Sequence, residues 1–138
     1  MPVRAIPEGY YSLTPYLVCK GAAKAIDFYT KAFGAKEMVR MPGPDGQVMH
    51  AEVQIGNSML MLSDENPDQG ALSPDTIGGT ATSIMFYTDD VDAVFNGALA
   101  AGAAAVVPPT DMFWGDRMAQ VTDPFGHKWA IATHIEDV

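Results

Sequence analysis

Two side chains capable of acid–base chemistry, His50 and Glu52, lie two residues apart in the segment MHAEVQI, residues 49–55. Because neighbouring strand residues point to opposite faces, a strand here places both side chains on one face. An imidazole beside a carboxylate is typical of proton transfer or of metal coordination. The same pair also suits the solvated polar face of a strand or a subunit contact, and these are the commoner arrangements.

His127 is a third candidate, because it directly follows the turn DPFG, residues 123–126. The proline presets the backbone angle of the second turn position, and the aspartate can bond the backbone that follows it. We therefore expect the turn to set strand register and His127 to pack or hydrogen-bond at the sheet end, rather than to act as a catalyst. His134 and Glu136 follow in the tail, where solvent exposure or a dimer contact is expected rather than the alternative, a role in binding.

The segment DMFWGDR, residues 111–117, brings two adjacent aromatic side chains, Phe113 and Trp114, close in sequence to Arg117. Large aromatics in a glycine-containing loop are typical of a cover that stacks on a planar ligand. A hydrophobic plug or a dimer contact uses the same residue types. Arg117 is suited to receive a carboxylate or a phosphonate, or to pair with a surface acid.

Two amphipathic segments predict the helices that position these residues. In residues 22–33 the apolar side chains recur every three or four positions, and Gly34 is placed to end the helix in a left-handed conformation. Residues 90–101 follow the same pattern, with an aspartate at the start and a glycine directly after the end. Strand-forming segments precede both helices.

The order of elements repeats along the chain. Each half reads strand, helix, strand, strand, strand, over residues 11–64 and 82–135, and the Pro-, Gly- and Asp-rich residues 65–81 connect the two. We therefore predict a single domain, residues 1–138, built from two βαβββ modules. Each half is too small to bury both faces of its sheet, so the halves pack on each other or on a second chain.

The amino-acid composition and net charge of the chain exclude several classes of function. Hydrophobic residues make up 48% of the chain, which is enough for a packed core, and the formal net charge is -9. This acidic balance argues against binding to nucleic acid or to anionic membranes. The one cysteine, Cys19, excludes an internal disulfide framework. Since no segment resembles a signal peptide or a membrane span, we expect a soluble cytoplasmic protein.

Three segments are similar to a known family: AIDFYTKAFGA, MPGPDGQVMHAEVQIGNSMLMLSDE and FWGDRMAQVTDPFGHKWAIATHIED, the last of which contains the motif DPFGHKW. They resemble the vicinal oxygen chelate superfamily, which includes glyoxalase I, bleomycin resistance proteins and extradiol dioxygenases, and more specifically its PhnB-like branch. The resemblance implies an α+β fold in which two tandem modules form a curved, incomplete β-barrel around a cleft. It also implies a homodimer.

In the metal-dependent members of this family, each module contributes two ligands from its first and last strands. The resemblance places these positions at Thr14, Leu60, Ser83 and Ala130. Hydroxyl and apolar side chains are poor donors for a divalent transition metal, so no cofactor is expected. By strand parity, the face that carries these positions should also carry the pocket residues Tyr16, Ser83, Met85 and Tyr87.

The resemblance and the residues together predict a protein that binds a small organic ligand in the cleft without the family's metal. The predicted ligand-binding residues are Tyr16, Ser83, Met85, Tyr87, Phe113, Trp114 and Arg117. The alternative is an enzyme: a glyoxalase-like lyase or isomerase, or a dioxygenase, with a metal held by displaced ligands such as His50 and Glu52. A metal-free acid–base catalyst that uses Glu52 is a further possibility.

Overall fold

The computed structural model describes residues 3–138, which contain eight strands, three α-helices and two 3₁₀ turns. The first half holds β1 (Tyr16–Cys19), α1 (Ala22–Phe33), β2 (Lys36–Pro42), β3 (Val48–Ile55) and β4 (Ser58–Asp64). The second half holds β5 (Ser83–Tyr87), α3 (Val91–Ala100), β6 (Ala104–Asp111), β7 (Asp116–Thr122) and β8 (Lys128–His134). The short helix α2 (Pro74–Ile77) lies between the halves.

The strands form two four-stranded sheets with the same topology. The strand orders are β1-β4-β3-β2 and β5-β8-β7-β6. In each sheet the first and last strands of the module pair in parallel, and the other pairs are antiparallel. The predicted α+β class and the repeated βαβββ order are therefore confirmed, and no closed barrel forms within residues 3–138.

Local sequence explains where the two long helices begin and end. Helix α1 ends at Gly34, whose φ of 69° is left-handed and whose N–H donates to the carbonyl of Tyr29. Helix α3 begins at Asp90, whose side chain accepts a hydrogen bond from the N–H of Ala93 at 3.1 Å. No helix in residues 3–138 is both long enough and apolar enough to cross a membrane.

The side chains of β3 depart at one residue from strict alternation between the two faces of the sheet. Strict alternation along residues 49–55 predicts that Met49 faces inward with Ala51, Val53 and Ile55, but Met49 is 63% exposed and Val48 is buried. The pairing with β2 shifts between Met41 and Pro42, which leaves Met49 as an extra residue on β3. A bulge of this kind reverses the alternation beyond it, so the prediction for Met49 is wrong.

Strand β6 extends through two prolines. It reaches Asp111 and therefore includes Pro108 and Pro109. Since β6 is an edge strand of its sheet, prolines there remove no hydrogen bond from an interior ladder.

The halves pack on each other through an aromatic cluster. Phe33 of α1 lies 5.3 Å from Phe86 and 4.7 Å from Trp129, measured between ring centroids. Tyr29, which is fully buried, lies 5.5 Å from Trp129. One continuous core therefore runs through both modules.

Candidate functional site

A cavity of about 660 Å³ lies where the two halves meet. The arm that precedes β1 forms one wall, the β3–β4 turn forms another, and β5 and β8 close the side of the second half. Five aromatic residues contribute to its lining: Tyr10, Tyr11, Phe86, Tyr87 and Trp129. Of the described residues that line it, none carries a formal charge. A cavity of this size and polarity is typical of a site for a small organic molecule.

A second group of polar side chains lies on the face of the first sheet that is turned away from α1. The hydroxyl of Tyr16 lies 2.9 Å from Nδ1 of His50, and Nε2 of His50 lies 2.7 Å from a carboxylate oxygen of Glu52. Because a carboxylate only accepts, Nε2 donates to Glu52, and in the neutral imidazole Nδ1 then accepts from the tyrosine hydroxyl. The structure therefore joins Tyr16, which the sequence singled out separately, to the pair of His50 and Glu52.

A third polar group is centred on the buried carboxylate of Asp116, at the start of β7. It accepts hydrogen bonds from the hydroxyl of Tyr87 at 2.8 Å and from the indole N–H of Trp114 at 3.1 Å. Nδ1 of His134 lies 2.8 Å from its other oxygen, and Nε2 of His134 lies 2.6 Å from Asp137. The hydrogen bond from His134, followed by that from Tyr87, lowers the pKa of Asp116 below its usual value.

Sequence reasoning did not single out Asp116. It is one of 17 acidic residues, and only the fold brings it beside Tyr87, which is 29 positions away. The one signal in the sequence was its place at the start of a strand, two residues after Trp114.

His127 joins the two halves. One ring nitrogen lies 2.8 Å from the carbonyl oxygen of Val18, and its backbone N–H donates to Asp123 at 3.0 Å. The carboxylate of Asp123 also accepts from the hydroxyl of Tyr29 and the indole N–H of Trp129. The structure thus places His127 in a structural contact at the turn, as the sequence indicated.

The four positions implied as metal ligands do not share one cavity. Thr14 and Leu60 line the 660 Å³ cavity, whereas Ser83 and Ala130 line a separate one of about 300 Å³. Their side chains offer two hydroxyls and no imidazole, carboxylate or thiolate, so they do not fit a divalent transition metal. Residues 3–138 contain no cluster of three His, Cys, Asp or Glu side chains arranged to hold a metal ion.

The remaining predicted ligand residues are dispersed. Phe113 is 89% exposed and packs edge to face on Trp114, with ring centroids 5.0 Å apart. Met85 is exposed on the second sheet. Arg117 donates to the carboxylates of Asp92 and Asp111. Of the two arrangements considered for Arg117, the structure therefore contains the pairing with surface acids.

Comparisons with known proteins agree with this architecture. A protein of Mycobacterium bovis described as uncharacterized is 45% identical over 130 residues, which cover 92% of this chain and 86% of that protein. The crystal structure of TioX from a Micromonospora species is 28% identical, with a TM-score of 0.72 over 91% of this chain and 99% of that one.

A PhnB protein from Bacillus cereus, described as a putative 3-demethylubiquinone-9 3-methyltransferase, is 21% identical and has a TM-score of 0.68. The alignment covers 89% of this chain and 99% of that chain, and a likeness at this identity shows the fold alone. The model of one family matches residues 12–131, which include both modules. On this match, the chain belongs to the Glyoxalase/Bleomycin resistance protein/Dioxygenase superfamily.

Proposed function

We propose that this protein binds a small organic molecule in the 660 Å³ cavity between its two halves. The supporting observation is the lining of that cavity, which combines five aromatic residues with no charged side chain among its described residues. Affinity comes from desolvating apolar surface and from stacking on the rings, so binding requires no covalent step.

Thermal denaturation with a panel of bleomycin-like, phosphonate and quinone-like compounds tests this proposal. A compound present at one hundred times its Kd stabilises the folded state by about 2.7 kcal/mol, which raises Tm by several degrees. We expect a Met59→Trp substitution to weaken the shift, because Met59 lines the cavity and the larger indole occupies part of the space that a ligand would use.

Met85→Trp is the matched control, since Met85 is 47% exposed and is not among the residues lining the cavity. It should retain the shift. If the compounds stabilise the Met59→Trp variant as strongly as the unmodified protein, the ligand lies elsewhere and the proposal fails.

The second candidate function is metal-free acid–base catalysis by Tyr16, His50 and Glu52. The favouring observation is the continuous chain of hydrogen bonds, in which Glu52 holds the His50 tautomer whose Nδ1 accepts the Tyr16 proton. In this arrangement Tyr16 takes a proton from a weakly acidic ligand while its own proton moves to Nδ1 of His50. The resulting imidazolium is stabilised by Glu52.

Hydrogen–deuterium exchange of acetylacetone, followed by NMR, tests the second candidate. We expect the protein to accelerate exchange and Tyr16→Phe or Glu52→Gln to slow it by about 100-fold, a typical contribution of one acid–base group. A Glu37→Gln variant on the neighbouring strand β2 serves as a control for the loss of one surface carboxylate. Equal exchange rates in all the variants would exclude this function.

A displaced metal site is less well supported. Both ring nitrogens of His50 are engaged, one by Tyr16 and one by Glu52. A metal at His50 must therefore break one of these hydrogen bonds. Elemental analysis of protein purified without chelators tests the alternative, and stoichiometric zinc, nickel, manganese or iron would favour it.

We further propose that the protein acts as a homodimer in the cytoplasm. Apolar side chains on the sheet faces turned away from the helices support a second copy, since Tyr16, Met41 and Met85 are each about half exposed. The single cysteine is buried and free, which suits a reducing compartment. Sedimentation velocity should give twice the chain mass, and a concentration-independent monomer would contradict the dimer.

A further inference from the structure

The arm that precedes β1, residues 3–14, lies on the body of the protein without being hydrogen-bonded to it. Inside the arm, the N–H of Tyr10 donates to the carbonyl of Pro7 at 3.0 Å, and within residues 3–138 no hydrogen bond joins the arm to the rest of the chain. Tyr10 and Thr14 are half-buried, and the other residues of the arm are exposed. A segment attached this weakly leaves the body at a low cost in free energy.

The chain is first fixed to the body at Pro15. The carbonyl of Pro15 accepts a hydrogen bond from the N–H of Met61 at 3.0 Å, and the next residue, Tyr16, begins the pairing of β1 with β4. The arm can therefore swing about the Thr14–Pro15 bond while the sheet keeps its register.

The same arm forms a wall of the 660 Å³ cavity. Tyr10, Tyr11, Leu13 and Thr14 belong to the cavity lining. The walls opposite are hydrogen-bonded in ladders, because the β3–β4 turn joins two paired strands and β5 pairs with β8 along its whole length. Displacement of the arm would therefore open the cavity and leave its other walls in place.

One atom of the arm is unfavourably placed when the arm is docked. The hydroxyl of Tyr10 is shielded from solvent and has no hydrogen-bond partner within residues 3–138. A hydroxyl that loses its water without gaining a partner destabilises the state that buries it. Outward movement of the arm returns this hydroxyl to water, so burial of Tyr10 favours the displaced arm. Tyr11, in contrast, is 68% exposed with the arm docked.

From these observations we propose that the arm is a gate of the cavity, which swings about the Thr14–Pro15 bond, and that the buried Tyr10 hydroxyl limits the fraction of time for which the gate is closed. A ligand enters and leaves while the arm is displaced and is retained while the arm is docked. The gating role rests on the proposed function, because it requires a ligand in the cavity. The movement of the arm does not require one.

Limited proteolysis of the ligand-free protein tests the movement. Thermolysin cleaves before large apolar residues such as Leu13, and cleavage requires the arm to leave the body and extend, so its rate follows the displaced fraction. We expect Tyr10→Phe to slow this cleavage by about tenfold, because it removes an unpaired hydroxyl from the docked state. The variant should fold with no loss of Tm for the same reason.

Tyr11→Phe is the matched control, since it removes a hydroxyl from an exposed ring of the same arm. It should be cleaved at the rate of the unmodified protein. If Tyr10→Phe is also cleaved at that rate, the Tyr10 hydroxyl does not limit docking, and the inference is overturned.

Stopped-flow fluorescence with the uncharged probe N-phenyl-1-naphthylamine tests the gating. We expect Tyr10→Phe to slow association and dissociation equally, by about tenfold, and to leave Kd unchanged, because both steps pass through the displaced arm. Loss of an ordinary ligand contact would instead change Kd, mainly through the dissociation rate. Tyr11→Phe should keep both rates.

The two experiments separate this inference from the proposed function. If the probe binds and Tyr10→Phe changes neither rate, the cavity holds a ligand but the arm does not gate it, and only the inference is overturned. If the probe does not bind, the proposed function fails at this cavity and the gating role fails with it. In that case slower cleavage of Tyr10→Phe would still establish the movement of the arm.

Discussion

At the residue scale, two carboxylates, one at the start of β7 and one in the C-terminal segment, shift the pKa of His134. Hydrogen bonds to Asp137 and to Asp116 raise the pKa of His134 above its ordinary value of 6.5. A raised pKa means that the stabilisation from protonated His134 is complete below the ordinary value and is lost as the pH rises through the pKa of the folded state. For Asp116, whose pKa is lowered, the stabilisation is instead lost as the pH falls through its folded-state pKa.

The corresponding prediction concerns Asp137→Asn. We expect this substitution to lower the pKa of His134, and added salt to reduce the difference, because Asp137 is 99% exposed and its charge is screened. An NMR titration of the His134 ring measures the pKa directly. Glu136→Gln, on the same tail, is the control and should change the pKa of His134 less. If the pKa of His134 is the same in Asp137→Asn and in the unmodified protein, the role of Asp137 is refuted.

At the element scale, the turn between β6 and β7 binds the C-terminal segment through one glycine. The carbonyl of Gly115 accepts from the N–H of Ile135 at 2.9 Å and from that of Glu136 at 3.1 Å. Gly115 has a φ of +97°, and a Cβ at this residue would overlap the carbonyl oxygen of Glu136. The tail and the turn can approach this closely only without a side chain at residue 115.

We therefore predict that Gly115→Ala displaces the tail and destabilises the protein by about 1–3 kcal/mol. Hydrogen exchange should accelerate at the amides of Ile135 and Glu136. Gly46→Ala is the control, because Gly46 also has a positive φ, +76°, but a Cβ at that residue would meet no atom within 4 Å. If the two variants lose the same stability, backbone strain rather than the tail contact is responsible.

At the scale of the whole molecule, Asp123 connects the halves. Its carboxylate is 3% exposed and accepts from Tyr29 of the first half and from Trp129 of the second, as well as from the backbone of its own turn. Burial, and then the nearby Asp123 charge, raise the pKa of Tyr29, so the phenol stays a hydrogen-bond donor even at a pH where a solvated tyrosine ionises.

Tyr29→Phe should therefore destabilise the whole domain by about 2 kcal/mol, because it removes one donor from a buried carboxylate. Urea unfolding measures the loss, which should appear as a lower midpoint with an unchanged slope. Tyr11→Phe removes a hydroxyl from an exposed ring and is expected to leave the midpoint unchanged. An unchanged midpoint for Tyr29→Phe would show that this hydrogen bond does not stabilise the joined halves.

The sequence by itself determined the elements and their repetition. The apolar spacing of residues 22–33 and the glycine after them define α1, and Asp90 defines the start of α3, because helix periodicity and capping are local properties. The turn at residues 123–126 was predictable for the same reason, since Asp123 bonds the N–H groups of Phe125 and His127 directly after it.

Only the tertiary structure decided which distant side chains meet. Tyr16 reaches His50 across 34 positions, and Tyr87 reaches Asp116 across 29. Local patterns could not predict that the Met49 side chain points outward, because a bulge in the pairing with β2 reverses the alternation there. The cavity likewise brings together the arm before β1, the β3–β4 turn and strands β5 and β8, and the packing of the two halves sets that arrangement rather than any periodicity along the chain.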